Sequence, residues 1–275
     1  MPSTPSTFDE LVAAWSTALA DLRAQVGIEE QWGLATACTG WTVGDVVAHQ
    51  VDLEQSIADY PRPDHVPNWE ALPHSDSRVG RLTEVGIDLR RGTPMNEILA
   101  EFDAIIPLRK AQLAQGPHDL KAQVTGPFGP PRELERVLRM RTLDTWVHTQ
   151  DIRAANGDPW EFTSDASLVT FDHFIASLPM VWAKQVGAPQ GSTVEIRVTH
   201  SVLVDPVQIT IDAAGQGLIG HGASPDVTLT ISRPDLMMRM TGRISAEDQG
   251  WLERLNLTGD ADLGNRFLSA LPVVS

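Results

Sequence analysis

The feature that most constrains this chain is a single change in the spacing of its apolar residues. Over the first two-thirds they recur at three- and four-residue steps. Phe8, Leu11, Val12, Trp15, Leu19, Leu22 and Val26 lie on one stripe of a helix. After about residue 190 the period becomes two. Residues 193–198, 207–211 and 227–231 alternate apolar and polar, as strands with one wet face do. A chain that changes period once reads as two domains, an N-terminal all-α one and a C-terminal α+β one with an antiparallel sheet. The change lies between residues 158 and 190, and the domains are drawn as 1–160 and 161–275, the second opened by a linking helix.

The helices carry their own start and stop signals. Thr7 with Glu10, and Thr42 with Asp45, have the spacing of capping boxes. The second helix then runs through Val46, Val47, His49, Val51 and Leu53 to the break at Pro61 and Pro63. A polar connection follows. Thr93-Pro94 opens a third helix through Ile98, Phe102 and Ile105, with Pro107 expected as a kink or end. Residues 126–131 read as a loop. The fourth helix carries Leu134, Val137, Leu138, Met140, Trp146, Val147 and Ile152, and stops at Asn156-Gly157. Four such helices predict a four-helix bundle. A fifth spans Asp165 to about Val186, a short one opens at Pro234, and a last one covers Gly259 to Leu271.

Composition narrows the chemistry. The formal net charge of -15 repels phosphate backbones, so no nucleic-acid partner is expected. An acidic substrate would need an Arg cluster or a metal to draw it in. Residues 1–7 carry no basic or apolar leader pattern, and the apolar run from Phe174 to Ala183 is short for a bilayer. A cytoplasmic protein without a membrane partner is expected, its oligomeric state left open. The single cysteine, Cys38, permits no internal disulfide and fits a reducing compartment. It reads as a small buried hydrophobe sooner than as a nucleophile. Any metal must then be held by His and carboxylate.

Eight histidines are present, at 49, 65, 74, 118, 148, 173, 200 and 221. Most stand in polar connections, but His49 and His148 lie within core-facing helices. Asp144 and His148, four apart, share a helix face. With His49 from a second helix they form a candidate three-ligand site that leaves one coordination position open, as catalytic zinc sites do. Zinc leads on ligand type; nickel, iron and manganese accept the same groups. Asp45 has a capping task already. Asp151, three after His148, either orients that imidazole or faces solvent.

Two segments carry a resemblance. Thr39-Gly-Trp-Thr-Val-Gly-Asp-Val-Val-Ala-His49, and Arg141-Thr-Leu-Asp-Thr-Trp-Val-His-Thr-Gln-Asp-Ile-Arg153 with Ala154-Ala-Asn-Gly157, resemble the mycothiol-dependent maleylpyruvate isomerase family within the DinB-like metal-binding bundles. The C-terminal half, with Leu257-Thr-Gly-Asp-Ala-Asp-Leu-Gly264, resembles that family's sterol-carrier-like domain. The resemblance implies zinc on His49, Asp144 and His148, with mycothiol as thiol cofactor. It implies a small electrophile, including an acidic one, that is isomerised or conjugated. Arg243 is its candidate cation for the substrate, with Arg141 and Arg153 as alternatives; Asp151 is the candidate orienting carboxylate. Characterised members carry Glu where this chain has Asp144. A carrier of apolar ligands with a structural metal, and a hydrolase with a metal-activated water, are the competing readings.

Overall fold

A computed structural model describes residues 4–127, 129–200, 205–220 and 224–274 of the chain. His221 lies outside the described residues. The chain divides into a unit of Pro5–Thr170 and a second that begins at Phe171, so the division falls within a helix rather than at residue 160.

In the first unit, α1 covers Phe8–Ala24, α2 Glu29–Trp32, α3 Val43–Ile57, α4 Arg78–Asp88, α5 Met95–Gln115 and α6 Leu134–Ala155. Both capping boxes form. Thr7 and Thr42 accept from the third helical N–H, and Glu10 and Asp45 accept in return from the cap N–H groups. Several helices, the later one over Asp165–Met180 with its Val169 among them, contribute to one apolar core. It contains Leu11, Trp15, Leu19 and Leu22 of α1, Val46, Val47 and Val51 of α3, Ile98, Leu99 and Phe102 of α5, and Leu134, Leu138 and Ile152 of α6. Each such side chain stabilises the fold by about 1.5–3 kcal/mol when fully buried.

Three expectations change. The polar connection contains α4, which the apolar pattern hides because several of its inward positions are Thr83, Glu84 and Gly86. Gly86 lets α4 lie close to α3, since a Cβ there would collide with the Asp52 side chain. Helix α5 passes through Pro107 to Gln115. A proline inside a helix costs about 3 kcal/mol, and burial of Ile98, Leu99, Phe102, Ile105 and Leu113 along α5 offsets it. The segment read as a loop forms a hairpin of β1 (Gln123–Gly126) and β2 (Gly129–Glu133), with Val124 opposite Arg132.

Helix α7 covers Asp165–Met180 and continues as a π-helical segment, Val181–Gln185. Together they are long and apolar enough to cross a membrane by length and composition, with a mean hydropathy of 1.2. Leu168, Val169, Phe171, Phe174, Leu178, Val181 and Trp182 are nonetheless all buried in protein, as in a core helix.

The second unit holds β3 (Thr193–Thr199), β4 (Val207–Ile211), β5 (Gly217–Gly220), β6 (Val227–Ser232) and β7 (Asn256–Gly259), in the order β5-β4-β3-β6-β7. Three pairs are antiparallel, but the central β3–β6 pair is parallel, with Val194 opposite Val227 and Ile196 opposite Leu229. The sheet is therefore mixed. The chain crosses over after β5 and returns beside β3, which brings the buried Val194, Ile196, Val227, Leu229 and Ile231 together. Helices α8 (Arg233–Met240) and α10 (Ala261–Ala270) pack on this sheet, and a short α9 (Gln249–Leu252) buries Trp251.

Candidate metal centre

Helix α3 presents His49, Gln50 and Glu54. Helix α6 presents Arg141, Asp144, Thr145, His148 and Asp151, at the three- and four-residue steps that keep one face turned the same way. The side chains meet inside the first unit. His49 Nε2 stands 3.3 Å from the Asp144 carboxylate, and His148 Nε2 stands 3.7 Å from Asp144 Oδ1. One donor atom from each of the three lies within 4.8 Å of the others. Two donors bound at about 2.0–2.1 Å to a tetrahedral ion are themselves about 3.3 Å apart. The donor set thus fits a divalent cation in both spacing and type.

A buried network aims the carboxylate. Arg141, 3% exposed, donates from Nη1 to Asp144 Oδ2 at 2.7 Å, from Nη2 to Gln50 Oε1 at 2.7 Å and from Nε to Glu54 Oε1 at 2.9 Å. Gln50 Nε2 also donates to Asp144 Oδ2, at 2.7 Å. Oδ2 is thus gripped by two strong donors, while both carboxylate oxygens lie 3.3 Å from His49 Nε2 and Oδ1 also faces His148. Glu54, fully buried, accepts further from Trp15 Nε1 at 3.1 Å and Arg109 Nε at 3.3 Å.

Charge follows from this geometry. Burial would raise the Asp144 carboxyl, but His49, Arg141 and His148 outweigh it and hold it well below the usual carboxylate range. Burial pushes the His49 imidazole below its ordinary value, more than Asp144 lifts it. Burial acts the same way on His148, yet Asp144, Cys38 and Asp151 overcome it and raise that imidazole to about 10. Without a metal, the pair holds one neutral and one protonated ring at neutral pH.

Trp41 covers both rings, its centroid 5.1 Å from that of His49 and 5.8 Å from that of His148. Its indole N–H is fixed by Glu84 Oε2 at 3.0 Å. Gly40, at φ 80°, makes the turn before it, where a Cβ would meet the His74 ring.

The other expected site residues are distributed as follows. Asp151 is fully buried and faces His148, its Oδ2 3.1 Å from Nδ1, so of the two readings it has the inward, orienting geometry. Arg141 is spent on Glu54, Gln50 and Asp144 and is no open cation for a substrate. Arg153 donates to the Pro159 carbonyl. Arg243 belongs to the second unit, half-buried, and donates to the Thr241 carbonyl. Asp45 caps α3 and pairs with Arg91. His74 is held against the buried Glu84 rather than solvated. Cys38 is half-exposed rather than buried, with Sγ 3.8 Å from His148 Nδ1 and 3.4 Å from Asp151 Oδ2. Sequence reasoning missed Gln50, Glu54 and Trp41. A Gln and a Glu four apart on the helix that carries His49 were the available signal.

The chain is similar to known proteins over its helical unit and over most of its length. The family described as mycothiol maleylpyruvate isomerase N-terminal domain matches residues 12–153, which include all three candidate ligands. No curated protein matches the chain. The crystal structure of the mycothiol-dependent maleylpyruvate isomerase is similar at 15% identity with a TM-score of 0.57, covering 89% of this chain and 93% of that one. A mutant of that isomerase gives 14% identity with the same TM-score and the same coverage. A sterol carrier protein 2 like 2 from Aedes aegypti is 24% identical over 35% of this chain and 92% of that one, at a TM-score of 0.25.

Proposed function

Because the chain belongs to the mycothiol maleylpyruvate isomerase N-terminal domain family, we propose that it is a metal-dependent enzyme that uses a low-molecular-weight thiol, mycothiol, to isomerise or conjugate a small electrophile. The observation that carries this reading is the meeting of His49, Asp144 and His148, with Asp144 already stripped of its proton and clamped from behind. We read the helical unit as a DinB-like four-helix bundle whose interior is the site.

His49 and His148 would offer Nε2 and Asp144 a carboxylate oxygen. A divalent ion held there, zinc on ligand type, would supply the charge that lowers the pKa of a bound thiol. The chain's own residues set the conditions for that. Asp151 accepts from His148 Nδ1, which fixes the tautomer that leaves Nε2 as a donor. Arg141 and Gln50 neutralise and orient Asp144. Trp41 packs against both imidazoles. Arg243 as the partner of an acidic substrate rests on the resemblance alone.

The test is turnover of maleylpyruvate and related electrophiles by the metal-loaded protein, with and without mycothiol. Thiol-dependent turnover is expected. Equal turnover without thiol would transfer the reading to a hydrolase with a metal-activated water. Tight binding of apolar ligands with no turnover at all would make it a carrier.

A further inference from the structure

The His148 imidazole stands between two different donor sets. Nε2 faces the nitrogen and oxygen donors of His49 and Asp144. Nδ1 faces a thiol and a second carboxylate, Cys38 Sγ at 3.8 Å and Asp151 Oδ2 at 3.1 Å. Sγ and Oδ2 are 3.4 Å apart, and the three form a compact cluster of metal-ligating atoms in their own right. Around a tetrahedral ion, a thiolate at about 2.3 Å and an imidazole or carboxylate at about 2.0–2.1 Å stand roughly 3.5 Å from each other. The observed separations are close to that without any rearrangement of α6.

The accessibilities also differ in a useful way. Asp151 is fully buried and His148 is 8% exposed, so two donors are fixed in place. Cys38 is half-exposed, on the loop before α3, and gives an ion a route in. Cys38 itself cannot close the first donor set, because it lies behind the His148 ring, on the nitrogen that faces away from Asp144.

We infer that Cys38, His148 and Asp151 form a second metal site, selective for thiophilic cations such as Cd2+, which competes with the first site for the His148 imidazole. Softness supplies the selectivity, since thiolate prefers soft ions and the first set offers only nitrogen and oxygen. On binding, the thiol proton and the Nδ1 proton leave to solvent as the metal–sulfur and metal–nitrogen bonds form. Occupation of this site leaves the remaining imidazole proton on Nε2, so His148 cannot also ligate an ion in the first set, and a thiophilic ion disables that set without touching His49 or Asp144.

The experiment is titration of the chelator-treated full chain with Cd2+, followed by thiolate-to-cadmium charge-transfer absorbance. That band reads Cys38 alone, the chain's single cysteine. Wild type and His49→Ala should both develop it with one equivalent, and Cys38→Ser should not. Asp151→Asn, His148→Ala and His148→Gln should weaken the affinity read from the band by more than about tenfold, since even outer partners of a metal ligand contribute that much. Far-UV ellipticity confirms that each variant is folded, and the two His148 variants guard against a failure of either. A wild type without the band would overturn the inference. So would a band whose affinity is unchanged in Asp151→Asn and in the folded His148 variants, which is the behaviour of a solitary thiol. None of these outcomes depends on thiol-dependent turnover, so the proposed function stands or falls separately.

Discussion

Glu54→Gln is the substitution that most directly tests the buried network. Glu54 is fully buried and accepts from Trp15, Arg141 and Arg109, at 3.1, 2.9 and 3.3 Å. An amide of the same shape keeps one acceptor but turns an N–H group toward a guanidinium, and it removes the charge that two buried arginines face. Removing one partner of a buried ion pair costs about 3–5 kcal/mol, because the other is left uncompensated. Arg23–Asp103 provides the control, with side chains 35% and 53% exposed. Asp103→Asn should cost about 0–1 kcal/mol there. For a unit the size of Pro5–Thr170 each kcal/mol moves the midpoint by roughly 2–4 °C, so Glu54→Gln should melt roughly 6–20 °C lower. The control should move by less than about 4 °C. Thermal melts followed by helical ellipticity, in chelator, measure both. Equal shifts in the two variants would show that the buried carboxylate contributes no more than a solvated one, and the account of how Arg141 is held would fail with it.

Further outcomes follow from the same geometry. Protein from metal-replete cells should carry a divalent ion by elemental analysis, lost in His49→Ala and in His148→Ala; retention in either variant counts against the ligand set. Asp144→Glu should keep the ion and change the turnover rate, whereas Asp144→Ala should lose both, since it deletes the one anionic ligand. In the metal-free protein His148, raised to about 10, contributes stability that is complete below its unfolded value near 6.5 and lost as pH rises through about 10. Denaturant midpoints should therefore fall across that window, and fall less in His148→Gln.

What the sequence made legible was whatever depends on neighbours along the chain. The capping boxes at Thr7 and Thr42 and the common face of Asp144 and His148 are three- and four-residue relations, and each appears in the structure as read. The α4 helix was hidden because its inward face carries polar Glu84, whose partners Trp41, His74 and Arg91 come from other elements. The β1–β2 hairpin was hidden by Pro130 and Pro131, which argue against a strand that in fact lies at an edge of a two-stranded sheet. The parallel β3–β6 pair could not be read from alternation, which is the same for either direction of pairing. Cys38 was misplaced for a related reason. Its class average is buried, and only the fold brings it beside residues more than a hundred positions away.

The shorter carboxylate at position 144 is best understood through the residues behind it. A side chain one methylene shorter than Glu has less reach and one torsion fewer, so its aim depends more on the groups that hold it. Arg141 holds it along α6, three residues away, and Gln50 holds it from α3, beside His49. The same Gln50 accepts from Arg141 and from Thr145, so the orientation of the carboxylate is set by both helices at once. Arg141 is in turn held by Glu54, which also anchors Trp15 of α1 and Arg109 of α5. One connected set of hydrogen bonds therefore joins α1, α3, α5 and α6, which all contribute to the core. Any change that repacks one of these helices is transmitted to the Asp144 carboxylate through groups that have no apolar substitute. In this unit the packing of the helices and the aim of the candidate ligands are one property.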